Sequence, residues 1–190
     1  MIDYKEDLRE ALRVLREGGV ILYPTDTIWG LGCDATSKEA VEKIFEIKKR
    51  KEGQSLIILV NGVTMLERYV REVPETASRI TELSGGPVTI IYPRGRNLAP
   101  GVCAEDGSVG IRITRDDFCN ELISLFRKPI VSTSANISTK PSPPDFSGIE
   151  ESIIDSVAYV VRYRRGDRKK YAPSPIIRTE IDGSFKIIRQ

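Results

Sequence analysis

The segment Ile47-Lys-Lys-Arg-Lys-Glu-Gly-Gln-Ser-Leu56 sets Lys48 and Arg50 on alternate residues, so an extended chain would aim both at one polyphosphate. Taken alone, such a basic run at a helix C-terminus is sufficiently explained by the helix dipole. Val109-Gly-Ile-Arg-Ile-Thr114 places Arg112 inside an otherwise apolar strand. An unpaired charge is costly there, so Arg112 either faces outward or anchors a ligand at a cleft. Val131-Ser-Thr-Ser-Ala-Asn-Ile-Ser138 ends an apolar run in four hydroxyls and an amide, neutral donors suited to phosphates or a ribose. A hydroxyl-rich turn uses the same residues. Tyr23-Pro-Thr-Asp-Thr-Ile-Trp-Gly-Leu-Gly-Cys-Asp-Ala35 delivers small polar residues to a strand end, and its two glycines permit close backbone approach. Strand ends of open sheets are common ligand sites, and a turn rich in Asx and Thr hydrogen bonds is the alternative. Ser84-Gly-Gly-Pro-Val-Thr89 reads as a turn leading into a strand.

The chain contains no histidine. That excludes Ser-His-Asp and Cys-His nucleophiles, histidine metal sites and a histidine proton shuttle. Any reaction must rest on carboxylates, lysine, arginine, hydroxyls, backbone amides or a metal ion brought in from outside.

Hydrophobic periodicity supplies the elements that carry these segments. Tyr4, Leu8, Ala11, Leu12 and Leu15 recur at helical spacing and stop at Gly18-Gly19. Val20 to Tyr23 reads as a buried strand ended by Pro24, and residues 24–35 read as a loop. Ser37 can cap a helix whose apolar face is Ala40, Val41, Ile44, Phe45 and Ile47. Strands are expected at 56–60, 88–92, 109–113 and 130–133, with helices near 63–70 and 75–83 and a third capped by Asp116 or Asp117. Residues 134–147 read as a loop, 148–156 as a helix, and 157–163, 175–179 and 184–189 as closing strands. The alternation argues a three-layer α/β or α+β fold with a mixed sheet, antiparallel in part where the last strands follow one another closely.

The length of 190 residues, with 40% hydrophobic and 29% charged residues, suits one soluble domain over 1–190. The total charge is only +2, yet from Arg162 onward nine basic residues face three acids, a tail of +6. That tail could attract phosphate or nucleic acid, or could simply be a solvated basic face. Cys33, Cys103 and Cys119 have neither disulfide nor zinc spacing and read as thiols in a reducing compartment. The N-terminus lacks a signal-peptide pattern, and no apolar run approaches the roughly 20 residues that cross a bilayer. A cytoplasmic location without membrane partners is expected.

In order along the chain, these segments resemble the YrdC-like family, the threonylcarbamoyl-AMP synthases. The family pattern is Y-P-T-D-T-x-Y-G-L, K-x-R, P-G-P-x-T, V-x-R-x-P, S-A-N-x-S-G, S-T-V and a closing I-x-R, and the likeness covers roughly residues 8–190. It implies a YrdC-like twisted open sheet flanked by helices. It also implies a nucleotidyltransferase reaction: L-threonine and bicarbonate form a carbamate that attacks ATP, giving threonylcarbamoyl-adenylate and pyrophosphate. A transferase complex then moves the group to tRNA. Carried over, Lys48 and Arg50 take the catalytic phosphate-binding role, and ATP contacts extend to Arg112, Ser134, Asn136 and Arg189. The threonine side takes Thr25, Thr27, Thr133 and Ser174. No protein-held metal is implied, and Mg²⁺ is expected through the ATP phosphates.

Several positions depart from the pattern. Trp29 replaces Tyr, Lys51 and Ser55 replace prolines, and Gln54 replaces a common basic residue. Gly85 and Thr114 replace prolines, Thr139 replaces Gly, Pro175 replaces Thr, and Leu59 stands where some relatives place a histidine. The sequence stops at the closing motif, so the extra C-terminal domain of longer relatives is expected to be absent. Two other readings use the same residues: a module binding nucleotides or double-stranded RNA, favoured by the basic tail and extending to weak tRNA contact, and a catalytically silent paralogue, favoured by the substituted loop residues.

Overall fold

A computed structural model describes residues 4–50, 54–167 and 171–190. Lys51 and the basic run Arg168-Lys169-Lys170 lie outside the described residues.

Helix α1 (Tyr4–Arg16) buries Leu8, Ala11, Val14 and Leu15, the stripe its periodicity announces. It ends where Gly18 turns to φ +71° and Gly19 comes so close to Val14 that a Cβ would sit 2.6 Å from a methyl carbon. Ser37 caps α2 (Lys38–Lys48) by accepting the Ala40 amide, and Ala40, Val41 and Ile44 face inward. Helices α3 (Val63–Tyr69) and α4 (Glu75–Leu83) follow, and Asp116 caps α5 (Asp117–Phe126) through the Cys119 amide. α5 packs on α1, with Tyr4 edge-on to Phe118 at 6.2 Å. The helix expected at 148–156 is a short 3-10 turn, Phe146–Gly148, then a single turn, α6 (Glu151–Ile154).

The strands form two hydrogen-bonded sheets. The smaller joins β1 (Ile21–Tyr23), β2 (Gly30–Gly32), β7 (Thr133–Ser134) and β8 (Tyr159–Val160) in the order β7-β2-β1-β8. The larger has the order β10-β9-β4-β5-β3-β6, built from β3 (Ile57–Val60), β4 (Thr89–Tyr92), β5 (Val109–Ile113), β6 (Ile130–Val131), β9 (Ile176–Thr179) and β10 (Phe185–Arg189). β3 runs parallel to β5 and β4 to β9, while β4–β5 and β9–β10 are antiparallel, so the expected mixed α/β character holds. One continuous cluster of buried apolar side chains spans both sheets.

Two further segments differ from the sequence reading. Residues 24–35 contain a strand, β2, made of Gly-Leu-Gly. It has no apolar alternation to announce it, and its glycines serve close approach: a Cβ on Gly32 would lie 2.5 Å from the Tyr23 ring. The 130–133 run divides at Ser132, whose amide donates to Ile57. Ile130 and Val131 pair with β3, whereas Thr133 and Ser134 pair with β2 in the other sheet. The S-A-N loop therefore begins where the chain passes from one sheet to the other. Among the described residues, no helix is long and apolar enough to cross a membrane.

Candidate active site

A cleft of about 420 Å³ opens between the two sheets. Gly30, Thr133 and Ser134 line it from the small sheet. Ile57, Thr89, Ile91, Gly110, Arg112, Ile176, Arg178 and Arg189 line it from the large one, joined by Thr27, Trp29, Arg50, Asp106 and Ser174 from loops. Period-two alternation sorts β4: Thr89 and Ile91 face the cleft, while Val88, Ile90 and Tyr92 face the opposite side. In β10 a register shift after Ile187 makes Ile188 an extra residue, so Arg189 returns to the cleft face opposite Ile176.

Four guanidinium groups, from Arg50, Arg112, Arg178 and Arg189, converge on this space. Burial lowers the Arg50 pKa, and burial together with nearby Arg112 lowers that of Arg189. Arg50 donates to the Ser55 carbonyl at 2.7 Å, yet among the described residues its buried Nε has no hydrogen-bond partner. Arg189 holds the Ser174 carbonyl at 2.7 and 3.1 Å. Arg112 donates to the Ser174 hydroxyl at 3.1 Å, and that hydroxyl lies 2.8 Å from the Thr89 hydroxyl. Behind Arg112, Asp26 Oδ1 stands 3.1 Å from its Nε, an ion pair without hydrogen-bond alignment. The sequence reading missed the cleft residues Asp106 and Arg178, and it missed Asp26. Asp26 sits within the quoted first motif, but its partner is 86 positions away on β5. Arg178 is compensated by Asp106 at 2.9 Å and Glu180 at 2.7 Å. The Ser108 hydroxyl and amide, then Arg178, pull the Asp106 pKa down to about 2.

Seven of the ten residues singled out from sequence line the cleft: Arg50, Arg112, Ser134, Arg189, Thr27, Thr133 and Ser174. The other three do not. The extended chain that would aim Lys48 and Arg50 together is absent, because Lys49 caps α2 in the left-handed region at φ 47°. Lys48 is only 1% exposed, and its ammonium donates to Ser134 O at 2.5 Å, Asn136 O at 2.7 Å and Asn136 Oδ1 at 3.5 Å. Burial, with a smaller contribution from Arg50, lowers its pKa to about 8. Asn136 spends its amide on the Ile137 and Lys140 carbonyls. Thr25 closes a turn, taking the Thr27 amide at 3.1 Å and donating to the Ile28 carbonyl at 2.8 Å.

The basic tail is mostly committed internally. Among its described residues, Arg162 pairs with Glu6 and Asp7, and Arg164 with Asp116 and Asp167. Arg165 donates to the Val160 and Val161 carbonyls and lies over Phe146. Arg178 and Arg189 turn to the cleft.

Comparison with known proteins decides the family. The Sua5/YciO/YrdC family model, described as "Telomere recombination", matches residues 13–190. This chain belongs to the Sua5/YciO/YrdC family. It is 36% identical over 138 residues to a threonylcarbamoyl-AMP synthase of Psychromonas ingrahamii, covering 71% of this chain and 72% of that protein. It is 29% identical over 174 residues to a threonylcarbamoyl-AMP synthase of Vibrio campbellii, covering 90% and 93%. The crystal structure of P. abyssi Sua5 complexed with L-threonine superposes with a TM-score of 0.78 at 30% identity, covering 91% of this chain. The chain spans about half the length of that archaeal protein, 51%.

Proposed function

We propose that this family member is an L-threonylcarbamoyladenylate synthase. The observation that carries the reading is the convergence of Arg50, Arg112 and Arg189 with several hydroxyls on one cleft, the Arg50 Nε being unpaired among the described residues. A triphosphate carries enough negative charge to relieve such crowded cations. The names of the relatives and the threonine complex of the archaeal neighbour point to the same substrates.

The reaction suits a site without histidine. Threonine's amine and bicarbonate condense with loss of water to a carbamate, which is itself the nucleophile. A carbamate oxygen attacks the α-phosphorus of ATP, its bond to the bridging oxygen breaks, and pyrophosphate leaves with that electron pair. The protein has to align the two reactants and stabilise the developing charge. Arg50, Arg112 and Arg189 take the phosphates, with Ser134 donating beside them. Thr27, Thr133 and Ser174 hold the amino acid. Lys48, Asn136 and Thr25 shape the loops that carry these contacts. Mg²⁺ would accompany ATP: among the described residues the carboxylate lining the cleft is Asp106, and it is already engaged by Arg178 and Ser108. Such an ion would be held by phosphates and water, and would help neutralise the charge of the triphosphate. The adenylate is then consumed by a tRNA threonylcarbamoyl transferase.

The test mixes pure protein with ATP, Mg²⁺, bicarbonate and L-threonine. Threonine-dependent pyrophosphate and the adenylate are expected, and pyrophosphate release indifferent to threonine would overturn the reading. Arg50→Ala should lose most of the activity while remaining folded, because its guanidinium reaches the cleft from a loop.

A further inference from the structure

Lys48 is a buried cation whose recorded acceptors are all oxygens of one loop, Ser134 O, Asn136 O and Asn136 Oδ1. The Lys48 carbonyl in turn accepts the Ser138 amide at 3.0 Å, so the end of α2 grips the loop through both its side chain and its backbone. No carboxylate pairs with this ammonium among the described residues. A buried cation is tolerated when dense acceptors replace its hydration, and Lys48 itself does not line the cleft. The grip has an electrostatic consequence. Carbonyl oxygens beside an anion site repel the ligand, and an ammonium that draws two of them to itself leaves the loop's donors, Ser134 among them, to face the cleft.

We propose that Lys48 is a positioning residue: it acts through the S-A-N loop, fixing Ser134 for the ligand, and does not itself touch the phosphates. The proposal rests on the nucleotide reading of the cleft only for its second test below. The first test is hydrogen exchange of the ligand-free protein across residues 134–138, comparing wild type with Lys48→Met and Lys48→Arg. Positioning predicts that Lys48→Met raises loop exchange by about tenfold or more, the equivalent of at least one lost hydrogen bond to a charged group. Lys48→Arg, which keeps a cation and its donors, should restore protection at least in part. A loop exchanging at the wild-type rate in Lys48→Met would overturn the proposal without any ligand present.

The second test compares affinities for AMP and ATP by calorimetry. A positioning residue lost from behind the loop weakens both by the same factor, whereas a direct β- or γ-phosphate ligand weakens ATP and spares AMP. An ATP-selective loss in either variant therefore refutes the proposal. If Lys48→Met does not fold, the AMP-to-ATP ratio in Lys48→Arg still decides. If wild type binds neither nucleotide, the reading of the cleft fails while the exchange result stands on its own.

Discussion

Asp7 and Asp26 are carboxylates removed from bulk solvent, with side chains 1% and 9% exposed, and the molecule treats them in opposite ways. Asp7, on α1, accepts the Tyr159 hydroxyl at 2.5 Å and the Arg162 and Tyr163 amides at 3.1 and 2.7 Å. Burial works to raise its pKa, but those hydrogen bonds outweigh burial and hold it below the ordinary carboxylate value. Asp26 faces Arg112 without hydrogen-bond alignment and takes two bonds of 3.3 Å, from the Thr114 hydroxyl and the Arg115 amide. The α1–β8 region satisfies its own polar groups and needs no ligand. The Asp26–Arg112 region keeps charge and donors in reserve, and it borders the cleft. Of these two carboxylates, the fully satisfied one anchors the fold and the incompletely satisfied one stands behind a cleft arginine.

That contrast can be broken by substitution. The largest effect is expected from Asp7→Ala, which strands one hydroxyl and two amides and should cost about 3 kcal/mol or more in urea unfolding. Because the Asp7 pKa is lower folded than unfolded, its stabilisation is complete above the unfolded value and fades as pH falls through the folded one. Wild type should thus lose stability on acidification below about pH 4, and Asp7→Ala should show a flatter acid limb. Asp26→Asn should cost the ligand-free protein about 2 kcal/mol, less than a fully sealed pair, by leaving Arg112 without its counter-ion. ATP should return part of that loss, so its thermal shift should exceed the wild-type shift. Equal shifts would mean that Arg112 does not meet the nucleotide. Arg112→Met should weaken ATP binding by about tenfold, one charged hydrogen bond. Arg178→Gln should change it by no more than about threefold, because Asp106 and Glu180 already compensate that half-exposed cation.

The helix that carries the anchor was more legible in the sequence than the site, although the partners of Asp7, 152 to 156 residues away, were not. Leu8, Ala11 and Leu15 announce α1, Ser37 and Asp116 announce their caps, and Gly18 announces a stop, since each signal is local. Arg50, Arg112 and Arg189 were recognisable as residue types, Arg178 was counted only in the basic tail, and Arg112 inside an apolar strand faces the cleft with a buried partner. What could not be read depended on distance along the chain. Lys48 looks like part of an exposed basic run, yet its partners lie 86 and 88 residues away. Asp26 looks like a turn residue until β5 is brought beside it. The bulge at Ile188 that turns Arg189 to the cleft follows from sheet register, which the spacing of Ile187 and Arg189 does not disclose. The +6 tail reads either as a field for phosphate or nucleic acid or as a solvated basic face, and among its described residues Arg162, Arg164 and Arg178 pair with Glu6, Asp7, Asp116 and Asp106.

The most direct measurement is a crystal structure with Mg·ATP or a non-hydrolysable analogue bound. The account predicts a triphosphate between the two sheets, with the Arg50 Nε and the Arg112 guanidinium at hydrogen-bonding distance from it, the Ser134 hydroxyl beside it, and Lys48 still on its three loop oxygens. A nucleotide bound elsewhere, or one that leaves Arg50 and Arg112 unengaged, would contradict the claim that these arginines mark the nucleotide site.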